Sequence, residues 1–214
     1  MKPRIVEVCE GSLTDGDSLL LVNASNTNCN LGTGVSAAIR QACGKGYQKY
    51  IHHALEEKHK GPMEPGTTLI THAGEHPRAK YVAHVAVMDY RDGFTGSSYP
   101  TLELIEECYT RLWHEIEHLD EKALSLAVVA LGAGTGNIGL RQSVELACRT
   151  LQKHFGGVSK SRIDTLTFYG FQLFEYLAVL DVVRGFFEVD LSDVSEEVKA
   201  FLANGSGSFA LPER

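Results

Sequence analysis

The fold of this chain is decided by residues 18–44, which read SLLLVNASNTNCNLGTGVSAAIRQACG. Residues 18–22 are almost wholly apolar, and a short continuous run of this kind is typical of a strand covered on both faces of a sheet. After an asparagine-rich stretch and two glycines, residues 35–43 favour a helix of small residues that ends at Gly44. A strand, a glycine loop and a helix in this order predict a buried, largely parallel sheet.

The same alternation continues outward from this unit in both directions. Further strands are predicted at residues 4–8, 67–71, 81–87, 125–131 and 164–169, and further helices at 46–59, 101–119, 140–154 and 173–186. Alternating strands and helices predict an α/β fold with helices on both faces of the sheet. The predicted domain covers residues 1–187. Residues 188–214 are expected to form an acidic extension, helical over 188–203, that ends in a loose tail.

Composition and charge restrict the class of protein. The length of 214 residues suits one domain, and 43% hydrophobic with 22% charged residues is a globular composition. The five cysteines are odd in number and widely spaced, which predicts reduced thiols and no disulfide framework. No apolar run approaches the roughly 18 residues that span a bilayer. Because the chain also starts without a signal-peptide core, we expect a cytoplasmic protein with no membrane contact.

The charge also bears on the partner. A formal net charge of −7 without a block of basic residues argues against binding to the backbone of bulk nucleic acid. A small anion needs only a local site, so a nucleotide remains compatible with this charge. The oligomeric state is left open by the sequence, and no cofactor is expected.

Two glycine loops, at residues 32–35 and 132–139, each follow a predicted strand and precede a predicted helix. A helix start offers unpaired backbone N–H groups, and glycine lets the main chain approach an anion closely. The glycines of either loop alone could equally serve only to make tight turns. Two such loops in equivalent positions favour a diphosphate between them. The short amides of residues 23–28 lie beside this cradle and favour a ribose, although asparagine also makes turns.

These residues carry a specific resemblance to a known family. The stretches that carry it are 21–26, 31–39, 42–44, 66–74, 81–85 and 130–136, and the resemblance covers about residues 4–186. The chain resembles the macrodomains, which are ADP-ribose-binding modules. The resemblance implies a three-layer α/β/α fold, a mixed and largely parallel six-stranded sheet, and an ADP-ribose cleft at the crest of that sheet.

The resemblance also implies a set of ligand contacts. The residues expected to touch the ligand are Ser12, Leu13, Asn23, Asn26, Gly32, Thr33, Gly34, Val35, Ser36, Gly132, Ala133, Gly134, Thr135, Gly136, Asn137 and Phe171. Asn26 matches an asparagine at the distal ribose and is the candidate catalytic residue. Ser12-Leu13 stands where the family usually has an acid that binds the adenine amino group. Phe171 resembles the aromatic that stacks on adenine, with a simple core aromatic as its alternative. Gly136 replaces an aromatic over the distal ribose, which predicts a more open cleft.

Two functions follow from the resemblance. The first is binding of ADP-ribose or of mono-ADP-ribosylated protein. The second is hydrolysis of ADP-ribose derivatives, either removal of ADP-ribose from acidic side chains or a phosphatase type of reaction. Family hydrolases often carry an aspartate where this chain has Ser36, and a serine cannot act as a carboxylate base. We therefore expect binding with weak or no turnover, and we expect Ser36→Asp to raise any turnover.

Three other motifs are typical of different chemistry, and each lacks a feature that this chemistry requires. His114-Glu115-Ile116-Glu117-His118 fits the HExxH pattern of zinc peptidases, but both histidines are predicted to lie on the charged face of a helix and to face water, so no metal site is expected. Residues 134–139 read GxGxxG as in dinucleotide-binding domains, yet no acid ends the next strand. Cys29 and His84 are residue types found as nucleophile and base, but nothing in the sequence places them together.

Overall fold

The computed structural model describes residues 5–192 and 194–203. Its six strands are β1 (Ile5–Glu10), β2 (Leu20–Asn26), β3 (Thr68–His72), β4 (Tyr81–Met88), β5 (Leu124–Val128) and β6 (Ile163–Gly170). They form one sheet in the order β1-β6-β5-β2-β4-β3. Every neighbouring pair is parallel except β3 with β4, which is antiparallel. The predicted mixed, largely parallel six-stranded sheet is therefore confirmed.

The helices cover both faces of this sheet. They are α1 (Gly34–Ala42), α2 (Tyr47–His59), α3 (Leu102–Ile116), α4 (Leu140–Gly157), α5 (Leu173–Val183) and α6 (Glu196–Ala203). Alternation along β2 sends Leu21 to a core with α1 and α2, and sends Leu20 and Val22 to a second core with α3, α4 and α5. The three-layer α/β/α arrangement is confirmed.

Strand β2 differs from its prediction. It runs to Asn26, so the asparagine-rich stretch begins inside the strand and not after residue 22. The strand continues because β4 pairs with it as far as Asn26, with a register shift after Ser25. The opposite error occurs at residues 125–131, where strand β5 already ends at Val128.

The ends of several helices also differ from their predictions. Helix α3 ends at Ile116 instead of residue 119, and helix α5 ends at Val183 instead of residue 186. Helix α4 continues past residue 154 to Gly157.

Among the described residues of the acidic extension, helix is present only over Glu196–Ala203, where Leu202 is buried and its carbonyl accepts a hydrogen bond from Arg184 Nη2 at 2.7 Å. The domain boundary at residue 187 stays a prediction, and the predicted tail at 204–214 lies outside the described residues. Among the described helices, none is both long and apolar enough to cross a membrane.

Candidate ligand-binding cleft

A cavity of about 1000 Å³ opens at the carboxyl ends of β2, β5 and β6. Most of the residues expected to touch a ligand line its wall, namely Ser12, Leu13, Thr33, Gly34, Val35, Gly132, Ala133, Gly134, Thr135, Gly136, Asn137 and Phe171. Crevices at this edge of parallel sheets are where α/β proteins bind ligands. The wall also includes residues that the sequence did not single out, among them Met88, Leu140, Phe174 and Glu175.

The first glycine loop ends in helix α1. Its N-cap residue Thr33 makes no side-chain cap, so the N–H groups of the first turn, which lack partners within a helix, are left to other acceptors. Gly34 has φ +56°, a conformation that favours glycine. A Cβ placed on Gly34 would meet nothing within 4 Å. The loop therefore presents open space and a helix start to the cleft, which is the arrangement that binds anions.

A buried polar cluster lies under this first loop. Ser36 Oγ donates to Asn23 Oδ1 at 2.8 Å, and Asn23 Nδ2 donates to His84 Nδ1 at 3.1 Å. His84 Nε2 therefore carries the proton and faces the hydroxyls of Tyr47 and Thr71, each at 3.3 Å. Burial lowers the pKa of His84 to about 3, so the ring is neutral at neutral pH.

This cluster holds the side chains of Asn23 and Ser36, two of the residues expected to touch the ligand, and their contact with the ligand stays a prediction. Asn23 is 0% exposed, and the Ser36 side chain lies beneath α1, so both side chains face the core and not the cleft. Gly32 also lies outside the cavity wall, although it is exposed. The reason is the extra length of β2, because the strand carries Asn23 into the sheet interior where it needs polar partners.

Asn26, the candidate catalytic residue, shapes the turn that follows β2. Its Oδ1 accepts from the N–H groups of Asn28 and Asn30, both at 3.1 Å, and its Nδ2 donates to the Asn30 carbonyl at 3.0 Å. Three bonds within one turn fix this side chain outside the cavity wall. Its catalytic role stays a prediction.

The second glycine loop is folded on itself. Ile138 N–H donates to the Gly132 carbonyl at 3.0 Å, and Asn137 N–H donates to the Gly134 carbonyl at 3.1 Å. A Cβ on Gly136 would lie 2.6 Å from the Gly132 carbonyl oxygen, which leaves no room for a side chain. By contrast, a Cβ on Gly134 would meet nothing within 4 Å. Gly134 is thus the open point of this loop toward the cleft.

Two buried hydroxyls hold the second loop from below. Tyr109 Oη accepts from Leu131 N–H at 2.8 Å, and Ser143 Oγ donates to the Leu131 carbonyl at 2.7 Å. The two hydroxyl oxygens are 3.0 Å apart. Burial raises the pKa of Tyr109, so the phenol keeps its proton. The support of this loop is therefore uncharged over the whole physiological pH range.

The end of the cleft beyond β6 carries an exposed aromatic ring and a carboxylate. Phe171 is 68% exposed, so the alternative of a core aromatic is wrong. Glu175 Oε2 accepts from Phe171 N–H at 2.9 Å and from Gln172 N–H at 3.3 Å. Among the described residues of the wall, Glu175 is the only one with a carboxylate, and none is a lysine, arginine or histidine. The sequence signal for Glu175 is the capping-box spacing Gln172-x-x-Glu175 before an apolar run.

The competing motifs do not assemble into sites. His114 and His118 are exposed as predicted, and the described residues contain no group of three or more His, Cys, Asp or Glu that could hold a metal ion. Cys29 is fully buried, and burial raises its pKa to about 12, which keeps it a thiol. The strand order also differs from the 3-2-1-4-5-6 order of dinucleotide-binding domains.

Comparisons with a family model and with known proteins agree on one family. A family model described as Macro domain matches residues 22–147, more than half of the chain. An O-acetyl-ADP-ribose deacetylase of Salmonella newport is 30% identical over 148 residues, which cover 68% of this chain and 76% of that protein. An uncharacterized protein of Mycobacterium tuberculosis is 30% identical over 152 residues, 71% of this chain and 38% of its own length. The chain thus spans about two fifths of the length of these mycobacterial relatives.

Solved structures show the same fold. The Trypanosoma brucei macrodomain in complex with ADP-ribose matches with a TM-score of 0.66 and 21% identity, over 82% of this chain and 68% of that chain. The Oceanobacillus iheyensis macrodomain with ADP matches with a TM-score of 0.67 and 18% identity, over 84% of this chain and 90% of that chain.

Proposed function

The chain belongs to the macro domain family, and from this premise we propose that its cleft binds ADP-ribose, either free or attached to a protein. The observation that carries the proposal is the pair of glycine loops, each followed by a helix start, across one cavity of about 1000 Å³. Open space at Gly34 and Gly134 lets two phosphates approach main-chain N–H groups. The wall has no lysine or arginine among its described residues, so these N–H groups, together with the neutral hydroxyls and amides of the wall, would bind the anion.

The base would lie at the Phe171 end of the cleft. An exposed aromatic ring is a stacking platform, and base stacking on such a ring is worth about 1–3 kcal/mol. Glu175 stands beside it with one oxygen committed to the backbone, so its second oxygen can accept from the adenine amino group. This carboxylate would replace the acid that the family usually has at Ser12-Leu13. The distal ribose would then lie toward the turn made by Asn26.

Titration calorimetry with ADP-ribose, ADP, AMP and NAD tests this proposal. ADP-ribose should bind most tightly, and AMP, which has one phosphate and no second ribose, should bind most weakly. The outcome that would contradict the proposal is equal affinity for AMP and ADP-ribose, because such a result would mean that only one loop and the base contribute.

Hydrolysis of ADP-ribose derivatives is a second candidate, supported by the Salmonella relative whose name is O-acetyl-ADP-ribose deacetylase. The cleft offers little to activate a water molecule. Glu175 follows β6 and Asn26 ends β2, so two strand spacings, about 10 Å, separate the one carboxylate of the wall from the predicted position of the distal ribose. A positioned general base is typically worth about 10²–10⁴-fold in rate. We therefore propose binding with weak or no turnover.

The structure changes what we expect of Ser36→Asp. A carboxylate at this position would face Asn23 Oδ1 and the Ala24 carbonyl oxygen, which are both acceptors, under the first turn of α1. We expect such a buried anion to lower stability and to stay out of the cleft. Single-turnover release of ADP-ribose from a mono-ADP-ribosylated glutamate should be no faster in Ser36→Asp than in wild type. A clear gain in rate would show that the side chain reaches the ligand.

A further inference from the structure

Three aromatic rings, two exposed and one half-buried, form a cluster on the loop between β4 and α3. Tyr90, Phe94 and Tyr99, here called the aromatic patch, pack edge to face with ring centroids 5.5 Å and 5.6 Å apart. Phe94 is 58% exposed and Tyr99 is 45% exposed. Large apolar groups are seldom left together on a surface unless they contact a partner.

The loop that carries the patch is fixed by hydrogen bonds at both ends. Tyr90 N–H donates to Thr27 Oγ1 at 2.9 Å, and its carbonyl accepts from Asn28 Nδ2 at 3.0 Å. Further along, Ser98 is buried, and its carbonyl accepts from Asp89 N–H at 3.1 Å. These bonds join the patch to the turn at residues 26–30 and hold its rings outward, so a partner would find the surface already formed.

The loop that carries the patch begins beside the cleft, at the end opposite Phe171, while its three rings lie outside the cavity wall. Strand β4, which precedes the patch, is three strand spacings, or about 14 Å, from β6, which precedes Phe171. Met88, at the end of β4, lines the cleft, and Pro100, at the other end of the loop, packs beside Gly132. A ligand with its base on Phe171 and its diphosphate between the glycine loops would therefore direct its distal ribose, and any group attached to it, toward the patch.

The charge around the patch is acidic. The loop contributes two acidic residues, Asp89 and Asp92, and contacts a third, Glu64. Its one basic residue is Arg91. Arg91 is already paired with both Asp89 and Glu64, so it does not offer a free cation to an anionic partner. Exposed aromatic faces in an acidic setting attract lysine and arginine side chains. The same charges repel a nucleic acid backbone.

The geometry points to a docking surface for lysine or arginine side chains that neighbour the modified residue in an ADP-ribosylated protein. This inference rests on the proposed function, because it places the protein part of the ligand where the distal ribose leaves the cleft. The patch would select among modified proteins by their flanking sequence, whereas free ADP-ribose would not contact it.

Two synthetic peptides test the inference. Both carry ADP-ribose through a stable amide link at one position, and one has lysine and arginine at the flanking positions where the other has serine and glycine. Wild type should bind the basic peptide about 5- to 30-fold more tightly. The double variant Phe94→Ala/Tyr99→Ala should lose this preference while its affinity for free ADP-ribose stays within about twofold. Phe94→Leu/Tyr99→Leu, which keeps apolar surface without aromatic faces, should lose it as well.

Several outcomes would overturn the inference. One is equal binding of the two peptides by wild type, and another is a preference that survives in the alanine variant. Binding of a short single-stranded oligonucleotide that depends on Phe94 and Tyr99 would assign the patch to nucleic acid instead. If wild type fails to bind free ADP-ribose, the proposed function is wrong. The unmodified basic peptide then still tests whether the patch binds basic side chains. The NMR signals of the Phe94 and Tyr99 rings should shift when this peptide is added and should not shift when the serine-glycine peptide is added.

Discussion

The two glycine loops of the cleft have similar sequences around them but use their glycines differently. At the first loop, Cβ atoms on Gly32 and Gly34 would meet nothing within 4 Å. At the second, a Cβ on Gly132 would lie 2.8 Å from Ile105 Cδ1, and one on Gly136 would lie 2.6 Å from a carbonyl oxygen. The glycines of the first loop leave room for something that is not protein, whereas two of those in the second loop are required by the loop's own packing.

The difference teaches how to separate a structural glycine from a binding glycine. A glycine that lines the cavity and faces open space is free to admit a ligand, and one whose Cβ would meet protein atoms is already explained by folding. On this criterion Gly34 and Gly134 are the binding positions, and Gly132 and Gly136 are structural ones.

The largest effect is expected from Gly34→Glu. A carboxylate near a phosphate charge, at about 4 Å and an effective dielectric constant of 20, costs about 4 kcal/mol, or roughly a 1000-fold loss of ADP-ribose affinity. Gly34→Gln is the matched control, because it has the same size and the same strained φ without the charge. Calorimetry on both variants, each checked for folding, measures the difference. Unchanged affinity in a folded Gly34→Glu variant would remove the phosphate site from the first loop.

The second prediction tests the structural glycines. Gly136→Ala should lower the free energy of unfolding by up to about 3 kcal/mol, because its Cβ would overlap the Gly132 backbone. Gly134→Ala, two residues away, should change it by less than about 1 kcal/mol, since the new methyl group meets open space. Urea unfolding of the two variants gives both values. Equal stabilities would contradict the distinction between binding and structural glycines.

The third prediction concerns the supports under the loops. The neutral His84 under the first loop has a folded pKa of about 3, below its unfolded value of about 6.5, so the unfolded chain binds more protons between these pH values. The stability contributed by His84 is present above pH 6.5 and is lost as pH falls. From pH 7 to pH 5 the loss should be about 2 kcal/mol. Urea unfolding should show this loss in wild type and not in His84→Gln.

Matched variants under the second loop sharpen this test. Each of the variants Tyr109→Phe and Ser143→Ala should lower the free energy of unfolding by the same amount at pH 7 as at pH 5, because neither hydroxyl titrates in this range. The assignment to His84 would be wrong if the pH dependence of stability disappeared in either of these variants and persisted in His84→Gln.

The smallest effect is expected at the site proposed for the adenine base of the ligand, which lies away from both glycine loops. Glu175→Gln should reduce the preference for ADP-ribose over its inosine analogue about three- to tenfold, because its single amide oxygen stays on the N–H groups of Phe171 and Gln172 and the amide nitrogen cannot accept from the adenine amino group. The amide keeps the acceptor that caps α5, so stability should change little. An unchanged preference in calorimetry would show that another group recognises the adenine amino group.

The order of strands and helices could be predicted from the sequence because periodicity and glycine stops are local signals. The cleft could be predicted in outline for the same reason, since both loops stand between a strand and a helix. The end of β2 could not, because its polar residues Asn23 and Asn26 are typical of a loop. Asn23 stays in the strand because β2 pairs with β4 and its buried side chain finds a hydrogen-bond partner in His84, 61 residues away in the chain; no local pattern reports such a partner.

The directions of the Ser36 and Asn26 side chains could not be predicted from the sequence for a related reason. A resemblance transfers a position along the chain, but the direction of a side chain depends on what packs around it. Ser36 turns toward Asn23 because that buried amide needs a donor, and Asn26 turns into its own loop because two N–H groups there need an acceptor.

The cleft wall has one further consequence, which concerns how such a protein can change over evolutionary time. Its described lining offers an anion main-chain N–H groups, helix starts and a few neutral hydroxyls and amides, with no lysine or arginine side chain. Main-chain groups are supplied by every residue type except proline, so most substitutions alter the site only if they move the backbone. A recognition surface of this kind can persist while the sequence around it drifts, and selection acts on the few positions where a Cβ or a ring would block it.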